Sequence, residues 1–367
     1  MRIALIHHQF VPRGGMEKYL IEFAAHLKMA GHELHVVTSD ISPKMVEALG
    51  ATVHHVSVIK GSPLIRMWQF EKEASRVVLD LPVDVTIGFG RTTRHDLHRA
   101  GGGCHRIYSE LLSPLKRWGL KNRLELKLER RLYTEGHTKK FIVNSTMVAE
   151  QLREVYNVNP ERLEVIHTAV DTVRFKPSEK RAELRGKLLE ALKTPERPIF
   201  LFVSLNHKRK GLDVLMDIWK EVDAELWIVG KPLSFPYRMK MARHQLQDRV
   251  RLLGQPQNIG VYYQAADWFI HPTLYDACAN TVLQSMATGL PGIISTRDGA
   301  TDFIRDGENG LLMKEPCDSA AVHALVKRAL ATDETARVKM GAAARETMLP
   351  LTWEKHLGEW MQIVGTI

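Results

Sequence analysis

DWFIHPTLYDACANTVLQSMATGLPGIIST, residues 267–296, decides how the rest of the chain is read. DWFIHP is a short apolar run bounded by a proline, as a buried strand is. LYDACA is a loop carrying one carboxylate, Asp276. NTVLQSMA has helical spacing and is ended by Gly289 and Pro291, after which PGIIST is a second apolar run. Strand, helix and strand in this order imply parallel strands joined by a helical crossover. The loop at the carboxyl end of the first strand is where such a unit presents groups to a ligand.

The same alternation extends in both directions. RIALIHH, HELHVVTS, VDVTIGFG and KFIVNS are strand-like runs of the first half, with helical patterns in MEKYLIEFAAHLKMAG, closed by Gly31, and TMVAEQLREVY. In the second half PIFLFVSL, AELWIVG and RVRLLG precede DWFIHP, with helices between them and a short one at YYQAA. Gly307 and Gly310 in RDGENGLL mark a turn before an edge strand. Apolar strands alternating with helices need parallel sheets covered on both faces. The pattern pauses at LEVIHTAVDTVRFKPSEK, so two doubly wound α/β domains are expected, 1–170 and 171–350. The final TWEKHLGEWMQIVGTI, 351–367, is expected as a helix crossing back over the first. Ligands of such a pair bind in the cleft between the domains, at the carboxyl ends of the strands.

At 367 residues, 44% of them hydrophobic and 25% charged, the chain has the size and composition of a two-domain globular protein. Its formal net charge of +9 favours an anionic partner: a phosphorylated small molecule, an acidic membrane surface or nucleic acid. Three cysteines argue against a disulfide framework and for a reducing compartment. No apolar run has the length of a membrane span, and MRIALIHHQF reads as a strand rather than a secretory leader. A cytoplasmic location is therefore expected.

Three clusters carry candidate chemistry. Gly14 and Gly15 lie between a strand and a helix, where bare backbone can approach a ligand and amides can meet phosphate oxygens. A tight turn flanked by ordinary charges, Arg13 and Glu17, is the competing explanation. HKRKG, 207–211, follows the strand PIFLFVSL, so Arg209 and Lys210 are delivered to a carboxyl end, where they could neutralise a diphosphate and stabilise it as it leaves. A solvated basic loop is the alternative. The helix opening at Ala279–Asn280–Thr281 offers unpaired amides and a positive dipole end behind small residues. Asp276 could accept hydrogen bonds from sugar hydroxyls, or merely cap that helix. Gln284, one turn in, could both accept from and donate to a ribose. No D-x-D motif and no His/Cys cluster suggests a bound metal.

Together these stretches resemble the retaining family 4 glycosyltransferases of GT-B fold. That family carries an E-x7-E motif followed by A-x-G-x-P-V; here Asp276 and Gln284 stand at the two acid positions, ahead of MATGLPGI. PRGGMEKY matches the family's glycine loop, RKGLD its basic pair, VIHTAVDTVRFKP its connector and DGENGLL its late turn. GFGRTTRHDLHRAGGGCHRIY is most similar to the lipopolysaccharide core glucosyltransferase I group. The resemblance implies a UDP-sugar as donor substrate, no other cofactor, retained anomeric configuration, and a membrane-anchored glycolipid such as the lipopolysaccharide inner core as acceptor. It implies sugar contact by His105, with Asp96 a further acceptor or donor contact, and base contacts through backbone near Gly254 and Gln255. Alternatives for His105 are a buried structural histidine. Gln284 accepts with one oxygen where an acid would accept with two, which should weaken nucleotide binding by about 1–2 kcal/mol.

The basic segment 111–133, LLSPLKRWGLKNRLELKLERRLY, holds an apolar ridge of Leu120, Leu124, Leu128 and Leu132 beside Arg123, Lys127 and Arg130. Such a helix either lies in an anionic inner-leaflet surface, with Trp118 at the headgroups, or turns its ridge to the core. Membrane association at the cytoplasmic face is favoured, and nucleic acid is not, because no reading motif accompanies the charge and only 7% of residues are aromatic. Two other functions fit the same architecture: a nucleotide-sugar-binding protein with weak or no turnover, and an epimerase acting on the nucleotide sugar.

Overall fold

The run IFLFVS is buried at all its positions. Phe200 and Phe202 belong to one apolar cluster, and Ile199, Leu201 and Val203 to another on the opposite face. A strand covered by helices on both sides needs this pattern, which explains why the run is apolar throughout instead of alternating. The computed structural model describes residues 1–11, 14–59 and 61–367, so the flanking charge expected of Arg13 lies outside the described residues. The chain divides into two units, Met1–His167 with Trp353–Ile367, and Thr168–Thr352.

The first unit is built on β1 (Arg2–Ile6), β2 (Glu33–Thr38), β3 (Thr52–His55), β4 (Val85–Gly88), β5 (Leu97–Arg99), β6 (Lys140–Val143) and β7 (Leu163–Val165). They form one parallel sheet in the order β3-β2-β1-β4-β5-β6-β7. The C-terminal helix Trp353–Val364 belongs to this unit. Trp360 is fully buried with its ring 5.0 Å from that of Phe23, and the Tyr19 hydroxyl meets His356 Nε2 at 2.7 Å. The helix closes the core over helix Gly15–Met29 and supplies an apolar face the rest of the unit lacks.

The second unit carries β8 (Ile199–Ser204), β9 (Glu225–Gly230), β10 (Val250–Gly254), β11 (Trp268–His271), β12 (Gly292–Ser295) and β13 (Leu311–Met313). Their order is β10-β9-β8-β11-β12-β13, all parallel. The chain winds outward from β8 to one edge, then restarts at β11 on the other side. The helices that follow β8 and β11 therefore pack on opposite faces of the sheet, which makes this the switch point where ligands of such sheets bind. Both the basic loop and the Asp276 loop start there.

Candidate active site

Gly211 joins the basic loop to helix Leu212–Ile218 with φ of +78°, a left-handed conformation open to glycine. A side chain at this position would overlap the carbonyl of Pro272 in the loop after β11. Without one the two loops close on each other. The Arg209 carbonyl accepts from Leu274 N at 2.8 Å and from the Thr273 hydroxyl at 3.2 Å. That closure sets the side chains: Lys210 Nζ donates to Asp276 Oδ2 at 2.6 Å, and Arg209 Nη2 lies 3.5 Å from the same oxygen. Lys210 is buried, and the Arg209 guanidinium is partly exposed.

Beneath this pair lie two fully buried groups, His271 at the end of β11 and Asp298 after β12. His271 Nε2 is 3.1 Å from Lys210 Nζ and 3.1 Å from Asp298 Oδ2. Asp298 Oδ1 accepts from the amides of Ala279 and Ala300, tying the start of helix Asn280–Ala287 to the turn after β12. Backbone bonds Asp276 N to Arg297 O and Gly299 N to Asp276 O complete the clamp.

Burial pushes the Asp276 carboxyl up, but the charges of Lys210 and Arg209 and the Lys210 hydrogen bond outweigh it and hold it down at about 2. Burial, with the Lys210 charge after it, lowers the His271 pKa, so the imidazole is neutral near pH 7. The outer layer thus has two cations against one carboxylate. The first-turn amides of Asn280 and Thr281 stand beside it with no helical partner. Arg209 Nε and the Thr281 hydroxyl are buried and without a hydrogen-bond partner among the described residues. Unmet donors beside surplus positive charge suit an anionic ligand rich in acceptors, such as a diphosphate.

Two family models match the chain, Glycosyltransferase Family 4 over residues 13–174 and Glycosyl transferases group 1 over residues 197–332. The chain belongs to the family 4 glycosyltransferases. A probable transglycosylase of Burkholderia thailandensis is 28% identical over 341 residues, spanning 90% of this chain and 88% of that one. The lipopolysaccharide glucosyltransferase WaaG of Escherichia coli is 21% identical over 344 residues, 90% of each chain. A GDP-mannose-dependent alpha-mannosyltransferase of Corynebacterium glutamicum is 23% identical over 99% of this chain and 88% of its own. The crystal structure of WaaG superposes with a TM-score of 0.80 over 94% of this chain and 95% of that one, at 20% identity. HepE of Anabaena, in complex with UDP-glucose, gives 0.77 over 100% of both chains at 16% identity. The fold is GT-B.

In this glycosyltransferase Arg209, Lys210, Asp276, Asn280 and Thr281 come together at the switch point of the second unit. Gln284 is on the next turn of the same helix, where its Oε1 accepts from the Tyr263 hydroxyl at 3.4 Å. Gly254, with φ of +63°, and Gln255 are at the carboxyl end of the edge strand β10, exposed on the same rim of the sheet. Gly14 caps helix Gly15–Met29 at the corresponding switch point of the first unit, with the Glu17 carboxylate folded against it.

Three of the candidate residues already have protein partners. Ala279 does not offer its amide to a ligand, because Asp298 already takes it. His105 is buried, with Nε2 2.7 Å from Asn122 Oδ1 and 3.1 Å from Glu125 Oε2, and its own amide bonded to Glu129. It pins the glycine turn to helix Leu120–Thr134. Asp96 precedes β5, at the amino end of the sheet, where it binds the Thr86 amide at 3.0 Å and hydroxyl at 2.7 Å and pairs with Lys139. Ligand groups gather at the other end of the strands, so Asp96 is a strand-end clamp. Sequence reasoning missed His271 and Asp298. Their signal was position alone, an acid and an imidazole at the carboxyl ends of two adjacent strands. Among the described residues no group of three His, Cys, Asp or Glu side chains is arranged to hold a metal ion.

Proposed function

We propose that this glycosyltransferase moves a hexose, glucose, from a UDP-sugar to a lipid-linked oligosaccharide such as the lipopolysaccharide inner core. The transfer retains the anomeric configuration and needs no metal ion. One observation carries the reading: Lys210 is buried 2.6 Å from Asp276, with Arg209 beside it and the Asn280 and Thr281 amides at hand. In the reaction the bond from the anomeric carbon to the diphosphate oxygen breaks and the electron pair stays on the diphosphate. A fixed cluster of cations and amides stabilises that charge as it develops, without the cost of reorienting solvent. Asp276 orients the ammonium and faces the sugar. Glucose and lipopolysaccharide are supported by the likeness to WaaG, and uridine by the likeness to HepE.

Membrane association is assigned to the start of the basic helix. Leu128 and Leu132 are buried in the first unit, so the lower half of the expected ridge is core. At its upper end Leu120 is 67% exposed, and in the short helix and turn just before it Leu115 and Trp118 are 89% and 77% exposed, among exposed Lys116, Lys121 and Arg123. An apolar knob ringed by cations fits an anionic bilayer surface.

The test is a donor panel of radiolabelled UDP-glucose, UDP-galactose and GDP-mannose with purified protein and membrane extract, in the presence of EDTA. Transfer of label from UDP-glucose to extractable glycolipid is expected, undiminished by the chelator. Transfer from GDP-mannose alone, or a strict need for a divalent cation, would overturn the assignment. Tight UDP-glucose binding with no transfer would instead favour the binding-protein reading, to which Gln284 in place of an acid gives its support.

A further inference from the structure

We propose that the first unit holds a second ligand site, on helix Pro63–Val77, that takes a phosphorylated saccharide. The proposal does not depend on the donor assigned above. The helix has two functional stripes. Phe70 and Ala74 are buried against the sheet. Trp68, Lys72, Ser75 and Arg76 recur at helical spacing on another stripe and, with Leu79 just past the helix end, line a cavity of about 350 Å³. A cavity of that volume is at the lower end of the range of small-ligand sites.

Cations from three separate elements meet there. Lys72 and Arg76 come from the helix, Arg94 from the segment before β5, and Arg131 from helix Leu120–Thr134, with His137 just beyond it. One acid, Glu71, lines the cavity, and it is already engaged: it accepts from the Thr93 hydroxyl at 2.6 Å and lies 3.8 Å from Arg131. Arg76 is paired with Glu73, and Arg131 also with Glu135. Lys72 and Arg94 have no acid partner among the described residues, which leaves two uncompensated positive charges facing one cavity. Two cations without acid partners beside one hollow raise the local positive potential and draw an anion to it.

Trp68 narrows the ligand further. Its indole is 50% exposed, unusual for so large an aromatic on a helix that has a core to face, and Lys72 Nζ is 5.4 Å from its ring centre. A flat apolar ring beside free cations suits a molecule with one C–H face and one phosphate, as a sugar phosphate has. The small volume of the hollow, about 350 Å³, favours such a small anion over an acidic peptide. The site is at the amino ends of β5 and β6, the opposite rim from Gly14, so it is separate from the ligand rim of this unit.

The experiment is calorimetric titration of the full chain with glucose 6-phosphate, with glucose, with inorganic phosphate and with a glutamate peptide of matched charge. Vesicles bearing phosphatidylinositol 4-phosphate form a parallel arm. Glucose 6-phosphate should bind, and the double variant Lys72→Gln/Arg94→Gln should bind it about tenfold more weakly, as should wild type tested with unphosphorylated glucose. Trp68→Leu should weaken glucose 6-phosphate while leaving inorganic phosphate unchanged. Response in the free arm identifies a soluble ligand, and response to the vesicles alone, lost in the double variant, identifies a lipid-borne one. Equal affinity of wild type and double variant, peptide binding as tight as that of the sugar phosphate, or no binding in either arm would each overturn the proposal.

Discussion

Lys210 has three N–H bonds to give. Asp276 takes one and His271 at most another, so at least one remains for an incoming oxygen even with the side chain buried. Gln284 is a turn along the helix and accepts from Tyr263 at the edge of hydrogen-bond length. The two should therefore fail differently. Lys210→Ala removes a charge aimed at the leaving group and should lower kcat by about 10²–10³-fold. Gln284→Ala should instead raise the nucleotide Kd by about tenfold with kcat nearly unchanged. Single-turnover kinetics with equilibrium binding separates the two, and equal small effects from both would count against these roles. Asp276 adds a pH statement. Its folded pKa is depressed to about 2 against 3.8 for the free side chain, so its contribution is complete above pH 4 and lost only as pH falls towards 2. Any acid limb of activity between pH 5 and 7 then belongs to another group. Lys210, Arg209 and Asp276 were legible because charges at strand ends stand out. His271 and Asp298 were not, since a histidine closing a strand and an aspartate before a glycine are ordinary in turns. The partners of His105 were hidden for a related reason: nothing in the sequence reveals Asn122 and Glu125 beside it.

At the level of elements, Gly211 lets the loops after β8 and β11 close, and Lys210 reaches Asp276 only when they are closed. Gly211→Ala meets two obstacles: a left-handed backbone, costing about 1 kcal/mol, and a methyl group overlapping the Pro272 carbonyl. The loops must separate to make room. We expect the second unit to lose about 1–3 kcal/mol of stability by urea denaturation and turnover to fall with it, although no ligand contact is deleted. Wild-type turnover in Gly211→Ala would show that the closure is dispensable. The long parallel strands could be read because burial on both faces demands continuous apolar runs. The short β3, β5 and β7 could not. Thr52–His55 is only half-buried with two histidines, Leu97–Arg99 has three residues, and Leu163–Val165 is a partly exposed edge. Register with longer neighbours makes them strands, and no local pattern carries that.

Across the whole molecule the two units differ in how they bury histidine. The first contains His7, His95, His98 and His356, all buried. Burial lowers the pKa of each, to about 4 for His95 and about 3 for His356, where the Arg99 charge adds to it. Among the described residues of the second unit, His271 is the one buried histidine with a lowered pKa. A histidine whose folded pKa is below its unfolded 6.5 contributes stability that is complete above 6.5 and lost as pH falls towards the folded value. Each must take up its proton at the expense of the fold once pH drops below 6.5. Four such groups in one unit all act in the same direction, each disfavouring the folded state as pH falls below 6.5. The first unit should therefore open first in mild acid. Its C-terminal helix must open with it, because His356 is both a member of that set and the hydrogen-bond partner of Tyr19. Hydrogen exchange at stepped pH, corrected for intrinsic rates, should show protection lost in 1–167 and 353–367 between pH 6.5 and 5 while β8, β9 and β11 stay protected. Simultaneous loss in both units would mean that acid acts through some group other than these four imidazoles.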